Sequence, residues 1–68
     1  MNTNRLIHDA NQIALYFEAY PQEEAVSGVA DHIRKFWDPR MRADLRIMLD
    51  ANEARLHHLV RLAGEKLV

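Results

Sequence analysis

Two prolines, Pro21 and Pro39, constrain this chain more than any other feature, because each stands where one helical apolar pattern stops and the next begins. Proline pushes the residue before it out of helical geometry and suits the first turn of a helix, where its missing N–H costs nothing. Tyr20-Pro21 therefore ends one helix, and Asp38-Pro39 ends another while capping a third. On a wheel turning about 100° per residue, Leu6, Ile7, Ala10, Ile13, Ala14 and Phe17 share one stripe. This spacing predicts a helix over residues 4–19 with Thr3 or Asn2 as its cap. Val26, Val29, Ala30, Ile33 and Trp37, with Phe36 at the stripe's border, predict a second over 22–37. Glu23 and Glu24 favour its positive end. Met41, Leu45, Met48 and Leu49 predict a third over 39–50, and Leu56, Leu59, Val60, Ala63 and Leu67 a fourth over 53–66. The cap-type residues of Asp50-Ala51-Asn52 favour a break near 50–53. The alternative is one continuous helix about 40 Å long at 1.5 Å per residue. The expected fold is all-α: a single domain over residues 1–68, built as a bundle of three to four short helices.

A chain of 68 residues is short of core. It hides only about 60% of the surface its unfolded form exposes, so chains of this size usually need a disulfide, a metal or a second chain. The absence of cysteine excludes disulfides, thiolate metal sites and cysteine nucleophiles, and it suits a reducing compartment. Association is the staple that remains. Leu15, Ile47 and Leu62 lie off their stripes. Isolated exposed leucines are ordinary, but three on so short a chain permit a second, outward-facing hydrophobic surface. Met1-Asn2-Thr3-Asn4-Arg5 leads into His8, Asp9, Asn11 and Gln12, unlike a secretory leader, and no run approaches the ~20 apolar residues of a membrane span. A cytoplasmic protein without a membrane partner is expected.

Charge is uneven although the net charge is only −1. Residues 1–33 sum to −4 and residues 34–46 to +3. A basic band on an otherwise acidic molecule suits an acidic protein patch or a phosphate group better than duplex DNA, which calls for a whole basic face. Arg34 to Arg42 is the most informative stretch, with two large aromatics, a cap-proline junction and several cations in nine positions. Trp37 and Met41 can seal the core where two helices meet. Arg40 and Arg42 point to partner contact, since Trp, Arg and Met are enriched at interface centres and an arginine fork binds carboxylate or phosphate bidentately.

Catalytic and metal chemistry find little support. His57 and His58 are adjacent and diverge by about 100° on a helix, and neither His8 nor His32 has a ligand four residues on, so surface histidines are expected and no metal site. Ser27, the only serine, sits inside a helix without a glycine-rich turn to present it. No catalytic, cofactor-binding or metal residues are expected in this chain.

The run Ala10-Asn11-Gln12-Ile13-Ala14 with Phe17, then Pro21, then Val29-Ala30-Asp31-His32-Ile33 through Phe36-Trp37-Asp38-Pro39-Arg40-Met41-Arg42, resembles the delta subunit of NAD-dependent formate dehydrogenase. The resemblance covers residues 5–49; beyond them only apolar spacing and a final helix are shared. It implies a non-catalytic accessory subunit of a cytoplasmic, molybdenum- or tungsten-containing enzyme, binding the large catalytic (alpha) subunit to support its assembly, stability or cofactor insertion. The pterin–metal cofactor, iron–sulfur clusters, FMN and NAD would belong to the larger subunits. His32, Phe36, Trp37, Arg40, Met41 and Arg42, together with the off-stripe Leu15 and Ile47, are the expected partner contacts. Two other readings stay open: a helix-turn-helix-like nucleic-acid-binding regulator, motivated by the Asp38-Pro39 junction and its arginines, and a helical bundle that associates with its own copies.

Overall fold

The computed structural model describes residues 2–67. Among them run four α-helices: α1 (Thr3–Phe17), α2 (Gln22–Phe36), α3 (Pro39–Asp50) and α4 (His58–Lys66). Each start has a local cause. The Asn2 side chain accepts from the Arg5 N–H at 2.7 Å, and the Asp38 carboxylate accepts from the Met41 N–H at 2.9 Å. Pro21 precedes α2 as its flanking residue, and its carbonyl accepts the first helical bond, from Ala25.

The third and fourth helices are separate. A continuous one would outrun the 30 Å longest dimension of the molecule. The break is a left-handed cap: Asn52 has φ +59°, its N–H donates to the Leu49 carbonyl, and the Glu53 N–H reaches back to that of Met48. This pair of bonds is the Schellman arrangement, which usually uses glycine and tolerates asparagine. The expected start at residue 53 is corrected. Residues 53–57 form an irregular connection, and α4 begins at His58, five residues later.

That connection is stitched to α1. Asn4, Asn11 and Glu18 are spaced seven apart, on one polar stripe of α1. Asn4 Oδ1 accepts from Arg55 Nη1 at 2.9 Å; Asn11 Nδ2 donates to the Arg55 carbonyl, and its Oδ1 accepts from the His57 N–H at 2.8 Å. Glu18 Oε2 lies 2.7 Å from His57 Nε2. The Leu59 N–H donates to His57 Nδ1, so that nitrogen carries no proton and the hydrogen sits on Nε2, facing Glu18. His57 is thus the cap of α4 and a tie to α1. The expectation of four solvated surface histidines fails at this one.

The core follows the predicted stripes. Leu6, Ile7, Ala10 and Ala14 of α1 meet Ala25, Val26, Val29, Ala30 and Ile33 of α2, with Leu59, Val60 and Ala63 of α4. α2 packs most extensively on α4, and α3 is held least, with Leu45 as its one fully buried side chain among the described residues. Both glycines make room for a neighbour. A Cβ on Gly28 would collide with the Phe17 ring, and one on Gly64 would stand 2.6 Å from Leu49 Cδ1. Leu62, expected to face outward, is half-buried and packs against the core. The packing of α4 on α2 sets it beside Gln22, Glu23 and Val26, with which it lines a cleft.

Candidate functional site

The junction of α2 and α3 gathers most of the expected contact residues. α2 stops at Phe36; Trp37 takes an extended conformation (φ −93°, ψ 135°), and its N–H donates to the Ile33 carbonyl at 3.0 Å. This turn sends Trp37 inward, where it is only 7% exposed and part of the core. Trp37 is therefore corrected from surface contact to structural support: the extended backbone at the end of α2 buries its ring. Phe36 faces the other way and is 72% exposed, with the His32 ring tilted against it at a centroid distance of 4.7 Å. Asp38 caps α3, Pro39 opens it, Met41 is half-buried against the core, and Arg40 and Arg42 are exposed.

The result is a corner with a buried tryptophan beneath it and an exposed aromatic at its surface. A large apolar ring stands in water in a stretch rich in cations, and among the described residues Lys35, Arg40 and Arg42 take part in no ion pair. Arg34 is occupied: Nη1 meets Asp31 Oδ1 at 2.7 Å, and Nη2 donates to the Lys66 carbonyl at 2.7 Å, tying α2 to the end of α4.

Leu15 and Ile47 lie away from the junction, on α1 and further along α3. Leu15, 52% exposed, is on the last part of α1 and precedes an aromatic group in which Tyr16 and Tyr20, not singled out by the stripe analysis, join Phe17. There Phe17 sits edge-on to Tyr16 (5.0 Å, 87°) and tilted to Tyr20 (5.7 Å), with both tyrosines exposed. Ile47, 66% exposed, lines a shallow cleft of about 280 Å³ with Leu6, Asp44 and Met48.

The donor groups do not suit a metal or an iron–sulfur cluster. The sequence has no cysteine, and among the described residues no three of the His, Asp and Glu side chains come together as a ligand set. Ser27 is half-buried within α2. No helix among the described residues is long and apolar enough to cross a membrane.

Fold and surface together define a small all-helical module that offers an aromatic and cationic corner. Residues 5–63 match the family described as the NADH-dependent formate dehydrogenase delta subunit, FdsD, and the chain belongs to that family. The resemblance drawn from the ANQIA and FWDPRMR runs is borne out, and the match extends into α4. Neither the curated proteins nor the solved structures contain a significant match.

Proposed function

We propose that the chain is a non-catalytic subunit that docks on the large catalytic subunit of a formate dehydrogenase through the α2–α3 corner. By covering that subunit's surface it supports assembly and stability, and through them the insertion of the partner's pterin–metal cofactor. The observation that carries this reading is the exposed Phe36 ring, packed on His32 and followed in sequence by the exposed, unpaired Arg40 and Arg42, in the stretch that also carries the family resemblance. Burying an aromatic ring of this kind removes on the order of 150–250 Å² from water, and a neighbouring guanidinium can fork onto a carboxylate of the partner. In this reading the redox groups, FMN and NAD belong to the larger subunits, and the chain works in the cytoplasm with them.

Co-purification of the tagged chain with the catalytic subunit tests the proposal. Phe36→Ala combined with Arg40→Ala is expected to weaken the complex by about 2 kcal/mol or more, roughly 30-fold, while the isolated variant keeps its helical circular dichroism. A complex that forms equally well with the double variant would remove the corner from the interface.

A further inference from the structure

The fold completes a charge cluster that the linear sequence only begins. Residues 34–46 hold five cations, and the packing of α3 beside the end of α4 brings Lys66 to them. Between α3 and α4 lies a cleft of about 220 Å³, lined by Arg34, Arg42, Arg46 and Lys66 over a floor that includes Leu49 and Leu67. No lining residue is acidic. Two of the cations are engaged: Arg34 with Asp31, and Arg46 with Asp50 at 3.3 Å. Among the described residues Arg42 and the Lys66 ammonium have no ion-pair partner.

The two cations left without a partner, Arg42 and Lys66, repel each other across this concavity and hold a positive potential there, on a molecule whose net charge is −1. An anion entering the cleft relieves that repulsion. The cleft falls below the roughly 300–1,000 Å³ of a small-molecule pocket, but it has room for a peptide side chain. Its leucine floor selects further, because a bare phosphate would meet the cations and leave the leucines wet, whereas a peptide can satisfy both. We propose that this cleft receives an acidic segment of the partner subunit, with carboxylates on Arg42 and Lys66 and an apolar side chain on the leucines. The inference rests on the docking function proposed above and deepens it by naming the chemistry of the partner's segment. Arg42 belongs to both surfaces, so the corner and the cleft form one continuous footprint.

The test is the affinity of the full chain for the purified catalytic subunit, measured at about 50 and about 300 mM sodium chloride, a span over which exposed charge pairs become strongly screened. Weaker binding at the higher salt is expected. Arg42→Glu with Lys66→Glu should weaken binding by on the order of 10-fold or more, while Arg42→Lys with Lys66→Arg keeps it within about 3-fold. Far-UV circular dichroism establishes that both variants are folded. Should the reversal variant unfold, the salt dependence of the unmutated chain decides the matter alone. Binding that is indifferent to salt and to charge reversal overturns the cleft assignment and leaves the docking function intact. Displacement by inorganic phosphate at about 10 mM, beyond that of sodium chloride at equal ionic strength, overturns the peptide in favour of a phosphate ligand. Failure of the unmutated chain to bind the subunit overturns both.

Discussion

At the scale of single residues, the structure turns on side chains whose role depends on one neighbour. Gly28 shows this most clearly. Phe17 approaches closely there, and its ring fills the space a Cβ would take. Gly28→Ala gains about 1 kcal/mol of helix propensity but must displace the ring, and overpacking of this kind costs about 1–3 kcal/mol. Urea denaturation should therefore show a loss for Gly28→Ala in the natural chain and a gain in a Phe17→Ala background. A loss of equal size in both backgrounds would contradict the account. Glu53 supplies a pH dependence. Hydrogen bonds from the Arg55 side chain, then from its backbone N–H, hold the Glu53 carboxyl down at about 2 from its ordinary 4.5. A lowered folded-state value means that the unfolded chain takes up the proton first. The stabilisation is thus fully present above about pH 4.5 and is lost as pH falls towards about 2. The stability difference between the natural chain and Glu53→Gln should be flat above about pH 5.5 and shrink between pH 4.5 and 2. A difference that does not shrink there would remove Glu53 as its source.

At the scale of elements, the sequence reading succeeded where apolar spacing and proline decide and fell short where polar side chains decide. The helices before and after Pro21 and Pro39 were legible because proline interrupts helical geometry wherever it stands. The start of α4 was not, because Leu56 keeps the apolar register although its backbone has left the helix. What ends α3 is Asn52 in a left-handed conformation, and what holds the connection is the Asn4, Asn11 and Glu18 stripe of α1. The signal was present as three polar residues at heptad spacing, but their partners lie 39 to 51 residues away in sequence, beyond the reach of local pattern. The cap makes a definite prediction. Asn52→Gly should leave thermal stability unchanged or raise it, whereas Asn52→Ile should cost about 1–2 kcal/mol, since branched residues resist positive φ. An isoleucine variant as stable as the natural chain would contradict the left-handed assignment.

At the scale of the whole molecule, the chain hides one face of each helix and leaves Leu15, Tyr16, Tyr20, Phe36 and Ile47 in water. The candidate site was partly legible for the same reason that it is a candidate. The junction reads as a tight turn dense in aromatics and cations, but the choice between Phe36 and Trp37 for the surface is made by the turn of the backbone, which periodicity does not show. Lys66 joins the cationic cleft only through the packing of α4 beside α3, so its part was invisible before the fold. The central claim is that the α2–α3 corner is covered when the chain stands in its enzyme. Hydrogen–deuterium exchange of residues 36–42, compared between the isolated chain and its complex with the catalytic subunit, addresses that claim most directly. The account predicts exchange slowed by about 10-fold or more at this corner in the complex, as expected for backbone taken into an interface. Exchange unchanged there, with slowing confined to other parts of the chain, would contradict it.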